Sequence, residues 1–227
     1  MTKSSEDMSA HYVKTRAYFN KAAVERKGLC DKVKSFPYWA QQRVRNLILD
    51  MIDNSNKVIL EAGCGMGDFS VLLARTFPDS SIIGIDFSED MLELGEAYKK
   101  EHGILNVSFK LSDIRKTGFS DDEFDLTICM NVLHHIDKDD LVKTLNELAR
   151  ITRKTIILEI KNRNTPYHFI KKMRGKLLMP TLTIYATTVT CVKELIQPNG
   201  FNLTCSAPIF KFAIISPIIV LRFDRNR

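Results

Sequence analysis

Residues 58–68 read Val-Ile-Leu-Glu-Ala-Gly-Cys-Gly-Met-Gly-Asp, an apolar strand running into glycines at 63, 65 and 67. Glycine at every second position lets the backbone turn sharply, and it leaves bare main chain where a Cβ would meet a ligand. Phe69, Leu72, Leu73 and Phe77 follow at helical spacing, so the unit reads strand, glycine turn, helix. Such a unit fits a parallel α/β sheet and a ligand at its carboxyl edge. The spacing disfavours a dinucleotide. A dinucleotide turn needs G-x-G-x-x-G, but here the third glycine comes one residue early and Asp68 stands where that motif has glycine. An acid there would repel a pyrophosphate. No Gly-Lys-Ser/Thr follows, which argues against a nucleotide triphosphate.

Ser81 to Asp86 is a second short apolar strand, and its acid lies nineteen residues after Gly67. An acid at that distance closes the neighbouring strand and can accept both hydroxyls of an adenosine ribose. Ser88 is a candidate N-cap for a helix carrying Met91, Leu94, Gly95 and Tyr98 on one face.

With these two elements and two further matches, the chain resembles the class I S-adenosylmethionine-dependent methyltransferases, over roughly residues 55–225. The loop from Glu61 to Gly67 resembles the family's first motif, and Asp86 resembles the acid closing its second strand. Leu111-Ser-Asp113-Ile resembles the third motif. Residues 124–136, Phe-Asp-Leu-Thr-Ile-Cys-Met-Asn-Val-Leu-His-His-Ile, resemble the strand and loop that border the methyl donor. The nearest resemblance is to the small-molecule group that includes quinone-biosynthesis-type enzymes. It implies S-adenosyl-L-methionine as cofactor, held by Glu61, Gly63, Cys64, Gly65, Gly67, Asp86, Phe87, Met91, Asp113, Ile114, Asn131 and Val132. Within that set Glu61 would face the methionine ammonium, Asp86 the ribose and Asp113 the adenine amino group. Phe87 and Ile114 would serve as apolar walls.

Alternating strands and helices predict a doubly wound, seven-stranded Rossmann-like sheet. Strands are expected at 57–62, 81–86, 107–112, 124–130 and 155–160. Residues 202–209 and 212–223 then form a C-terminal antiparallel hairpin about a short turn near Lys211, with Pro217 needing a bulge or an edge position. Asp137 is a candidate N-cap for a helix burying Leu141, Val142, Leu145, Leu148 and Ala149, and Asn199-Gly200 closes a helix over 189–197. Residues 1–54 are expected as a helical cover over a methyltransferase domain at 55–227. Its stripe is Val44, Leu47, Ile48, Met51 and Ile52. By the resemblance, Tyr18, Phe19, Tyr38 and Trp39 are candidates for the acceptor pocket; otherwise they pack this cover on the sheet.

His134 and His135 lie where an acceptor would enter, and a histidine there can take a proton from a hydroxyl or amine. The alternative is that the pair only packs the loop. No metal-ligand spacing appears, so no metal site is expected. The five cysteines are scattered without a C-x-x-C pair, which suggests reduced thiols in a cytoplasmic protein. The first residues lack the apolar core of a signal peptide, and no apolar run reaches the length of a bilayer span.

Met-Asn-Val-Leu-His-His lacks the Asn/Asp-Pro-Pro-Tyr pattern of enzymes acting on a flipped base, so a small-molecule acceptor is expected and nucleic acid is not. The insert at 161–187 carries six Lys/Arg between Lys161 and Lys176 and no acid in that stretch. It suits either a hydrophobic, lipid-linked or phosphorylated acceptor with peripheral contact to an anionic membrane, or an ordinary solvated helix. The rival functions are a SAM-binding regulatory protein without catalysis and a protein or RNA methyltransferase.

Overall fold

The computed structural model describes residues 38–165, 185–211 and 215–226, together with Ala17. Tyr18, Phe19 and most of the basic insert fall outside the described residues.

Seven strands form one sheet: β1 Val58–Ala62, β2 Ser81–Asp86, β3 Val107–Leu111, β4 Phe124–Cys129, β5 Thr152–Lys161, β6 Phe201–Pro208 and β7 Ile218–Arg225. Their order is β3-β2-β1-β4-β5-β7-β6. β1 to β5 pair in parallel, and β7 runs antiparallel between β5 and β6. The chain leaves β1 towards β2 on one side and returns through β4 on the other. A crevice therefore opens beyond the carboxyl ends of β1 and β4, the switch point where open α/β sheets take ligands. The doubly wound architecture with its antiparallel hairpin is as the alternating pattern predicted.

The near-continuous apolar strands are those of a sheet buried on both faces. One face packs Leu60, Ile85, Leu158 and Leu221 against α4 (Lys138–Ile151) and α5 (Val189–Ile196). The other packs Ile59, Ile82, Ile128, Ile157 and Val220 against α1 (Tyr38–Asp50) and α2 (Asp68–Thr76). Ala40, Val44 and Ile48 lay α1 directly on the sheet, and Arg222 holds the carbonyl of Met51 at 2.7 Å. The predicted caps form. Asp137 accepts from the Asp140 N–H at 2.9 Å, and Ser88 opens α3 (Glu89–Glu101) by accepting from the Met91 N–H. Gly200 takes φ 84° after the short turn that ends α5.

Three expectations need correction. β5 begins at Thr152, three residues before the predicted 155, because α4 runs into it without a loop. Val142 is exposed, lying on the solvent face of α4. The last hairpin has no short turn: β6 ends at Pro208 and β7 begins at Ile218. β7 is an interior strand with neighbours on both sides, so Pro217, lacking an N–H, is excluded and the strand starts after it. The Pro217 carbonyl is still used, accepting from the Asn162 N–H at 2.9 Å.

Candidate functional site

The carboxyl end of β1 folds back on β2. The N–H groups of Gly63 and Cys64 both donate to the Ile85 carbonyl, at 2.7 and 2.9 Å, and Gly67 N–H closes the turn onto the Cys64 carbonyl. All three glycines have positive φ: 79° at Gly63, 54° at Gly65 and 71° at Gly67. Their vacant Cβ positions differ in what surrounds them. A methyl on Gly63 would strike Val132 Cγ2, and one on Gly67 would strike the ring of Phe109. Only Gly65 of the three opens onto empty space. Gly63 and Gly67 thus have a packing reason to be glycine, whereas Gly65 has none among its neighbours. The same Phe109 ring fills the space left by Gly84 and Gly95, so three separate glycines serve one aromatic side chain.

Asp86 fixes the loop. Its carboxylate accepts from Gly65 N–H at 2.8 Å and, through the other oxygen, from Ser88 N–H at 2.9 Å. With Phe87 N–H as a third donor, about one of the carboxylate's four acceptor sites stays open to a further donor. Burial pushes this carboxyl above its ordinary value, while the N–H bonds from Ser88, Gly65 and Phe87 pull it back.

Glu61 is 2% exposed, near the end of β1, and accepts from the Ser70 hydroxyl. Burial raises its pKa to about 8, against the opposing pull of that hydroxyl. Asp68 and Asp86 push it the same way as burial, and Arg45 acts on it while its guanidinium is paired to Asp68. A buried carboxyl of this kind favours a cationic ligand group beside it.

Asp113 follows β3, but Arg115 occupies much of its acceptor capacity. Arg115 forks onto both carboxylate oxygens, with Nη2 at 2.7 Å, and reaches Asp140 at the start of α4 with Nη1 at 2.6 Å. Burial opposes the charge on Arg115, but its two carboxylate partners hold it above the usual arginine value. Asp113 Oδ1 also takes the Arg115 N–H at 2.9 Å. The structure thus makes Asp113 a brace between the β3 loop and α4. Phe87 and Ile114 are half-buried near these loops, whereas Met91 and Cys64 are core. Burial raises the Cys64 and Cys129 thiols, and all four described cysteines are free.

Beyond β4, Asn131 takes φ 60° and Val132 covers Gly63. A short turn, Leu133–His135, carries both histidines, with ring centroids 4.0 Å apart. His134 is buried and its carbonyl accepts from Tyr185 N–H at 2.9 Å, while His135 is half-exposed. Trp39 is half exposed at the start of α1, its ring 5.7 Å from that of Phe210 just past β6. Tyr38 begins the same helix. Among the described residues no cluster of His, Cys, Asp or Glu is arranged to hold a metal ion, and no helix is long and apolar enough to cross a membrane.

Sequence reasoning missed Glu159 at the end of β5, and it read Lys161 only as the start of the basic insert. Glu159 accepts from Asn131 N–H at 3.1 Å, and Lys161 pairs with Glu159 and reaches Asn131 Oδ1 at 3.2 Å. The signal was a lone acid inside the apolar run Ile-Ile-Leu-Glu-Ile, which a strand buried on both faces does not hold without a partner.

A methyltransferase-domain family matches residues 53–202. Magnesium-protoporphyrin O-methyltransferase of Synechocystis is 26% identical over 172 residues, spanning 72% of this chain and 72% of the relative. Demethylmenaquinone methyltransferase of Bacteroides fragilis is 30% identical over 130 residues, which cover 55% of this chain and 52% of that enzyme. The chain thus matches about half the length of that relative. The crystal structure of the Synechocystis magnesium protoporphyrin IX methyltransferase with bound SAH superimposes with a TM-score of 0.73 at 20% identity, over 93% of this chain and 98% of the other. The chain therefore belongs to the methyltransferase-domain family, as an enzyme of the class I S-adenosylmethionine-dependent group.

Proposed function

We propose that this chain transfers the methyl group of S-adenosylmethionine to a small-molecule acceptor at an oxygen, nitrogen or carbon atom. The observation that carries the reading is the trio at the β1–β2 edge: Gly65 open at its Cβ position, Asp86 anchored beside it, and buried Glu61 behind. These residues fit the donor. Bare main chain at Gly65 admits close approach, Asp86 offers an acceptor for a ribose hydroxyl, and Glu61 suits the cationic ammonium. Phe87 and Ile114 flank the adenine side, with Asp113 held in place by Arg115, and Asn131 with Val132 borders the methionine side. Gly63, Cys64, Gly67 and Met91 shape the loop from beneath.

Bound S-adenosylmethionine supplies a methyl already activated by its sulfonium. The chain's task is alignment and exclusion of water. Where the acceptor loses a proton, His135 is better placed than buried His134 to receive it. Two features support a largely apolar acceptor with an anionic group. The Trp39–Phe210 pair stands exposed at the carboxyl edge, and Lys161 opens the basic stretch of the sequence. The small-molecule activities named for the Synechocystis and Bacteroides relatives favour the same class.

Calorimetry with S-adenosylhomocysteine tests the donor site, and absence of binding at millimolar ligand would sink the reading. Incubation with labelled S-adenosylmethionine and fractionated cell extract tests the acceptor. Label in small-molecule or lipid fractions is expected; label confined to protein or RNA would overturn the acceptor class.

A further inference from the structure

We infer that the Glu159–Lys161 ion pair is a positioning device that pins the donor-side loop after β4; the inference rests on the methyltransferase reading. Asn131 is one of two described non-glycine residues with positive φ, at 60°. Asparagine tolerates that region better than most residues, but the conformation still needs support from its surroundings. Both of its polar ends meet the pair. The Asn131 N–H donates to Glu159 Oε2 at 3.1 Å, and its Oδ1 accepts from Lys161 Nζ at 3.2 Å. Lys161 also donates to Glu159 Oε1.

The pair is nearly withdrawn from water. The Glu159 side chain is 1% exposed and that of Lys161 is 16% exposed. Burying two charges is costly, and a hydrophobic pair of similar volume would commonly fold as well. Stability therefore gives little reason for an ion pair here, whereas orientation of Asn131 gives a specific one. The consequence reaches the glycine loop directly. Asn131 sets the direction of Val132, and Val132 Cγ2 occupies the space that a Cβ on Gly63 would need. The carboxyl end of β5 is thereby coupled through β4 to the loop that faces the donor. Glu159 itself is too buried to touch an acceptor. It acts through Asn131.

The test measures S-adenosylhomocysteine affinity by calorimetry on the full chain, with thermal unfolding as a check on folding. Lys161→Met leaves Glu159 without its cation and frees the Asn131 side chain, so affinity should fall about tenfold. Glu159→Gln combined with Lys161→Gln keeps an acceptor for the Asn131 N–H and a donor for its Oδ1. That double variant should bind within about threefold of wild type. In turnover the donor KM should follow the affinity, falling back towards wild type in the double variant. If Lys161→Met does not fold, Asn131→Ala removes the same side-chain contact and should show the same loss. Wild-type affinity in the folded Lys161→Met or Asn131→Ala chain would overturn the pin alone. A double variant as weak as Lys161→Met would also overturn it. No binding by the wild-type chain would overturn the methyltransferase reading, and the pin with it.

Discussion

Gly65 and Gly67 share a positive φ and a motif, yet the space around them predicts opposite failures. Gly65→Ala adds a methyl to open space, so its folding cost is the left-handed strain alone, about 1 kcal/mol. Donor affinity should nonetheless drop more than about tenfold, because the methyl enters the proposed ligand space. Gly67→Ala drives a methyl into the Phe109 ring and should cost about 3 kcal/mol of stability. Urea unfolding and calorimetry with S-adenosylhomocysteine separate the two, and equal stability losses would refute the assignment. Glu61 gives a pH signature at the same scale. Its folded pKa of about 8 lies above the ordinary 4.5, so it takes up a proton on folding. Its stabilising contribution is complete below pH 4.5 and is lost as pH rises through about 8. Binding a ligand ammonium favours the ionised form and expels that proton. Affinity for S-adenosylhomocysteine should therefore rise between about pH 6 and 7.5, by up to about tenfold per unit. Glu61→Gln should flatten the slope; a slope unchanged in that variant would place the titrating group elsewhere. The identity of Glu61 and Asp86 was legible because a motif fixes their spacing. That Gly63 and Gly67 face Val132 and Phe109 was not, since those partners lie 69 and 42 residues away in the chain.

At the scale of elements, strand positions were readable from apolar runs, since five parallel strands buried on both faces leave little else for such runs to do. The ends were less readable. Thr152 joins β5 because its hydroxyl bonds to Thr127 of β4 and to the Leu148 carbonyl, both at 2.6 Å, and no apolar pattern announces that. Asp125 shows what charge does at the amino end of the sheet. It lies on β4, 2% exposed, and accepts from the N–H groups of Lys57 and Val58 at 2.8 and 3.2 Å. Arg153 reaches it at 2.6 Å and Lys154 at 3.1 Å, so one carboxylate ties the starts of β1, β4 and β5. Burial pushes its pKa up, but Arg153, the backbone donors and Lys154 more than offset that and hold it well below the usual 3.8. With a depressed folded value, its contribution is present above pH 3.8 and is lost as pH falls through the folded value. Asp125→Asn should destabilise the chain by about 3 kcal/mol near neutral pH, and the deficit should shrink on acidification below about pH 4. Unfolding curves at pH 7 and pH 3 check both halves. A deficit independent of pH would mean that the carboxylate's charge is irrelevant there.

Across the whole molecule, the proposed function assigns its work to two stretches of one sheet edge. The groups proposed to face the donor cluster where β1 and β2 end, with Asn131 from β4 at their border. The other half of the edge, beyond β5, β7 and β6, holds Lys161, the connection after Pro208 and the start of α1. This division follows from topology: β6 runs parallel to β5, so Phe210 emerges at the same edge as Lys161, and α1 starts there before descending the face. Trp39 meets Phe210 there, 50% and 37% exposed. Two large aromatic side chains held against each other in water contribute little to folding, and an apolar ligand would gain by covering them. The sequence singled out Trp39 but not Phe210, because their encounter depends on where a long β6–β7 connection returns. If this half of the edge receives the acceptor, Trp39→Ala and Phe210→Ala should each lower stability by less than about 1 kcal/mol and leave S-adenosylhomocysteine affinity unchanged. The acceptor found by labelling should then show a KM raised about five- to thirtyfold in either variant, as expected for losing about 1–2 kcal/mol of aromatic contact. An acceptor KM unmoved by both substitutions would shift the acceptor to the opposite side of Asn131, towards the histidine turn.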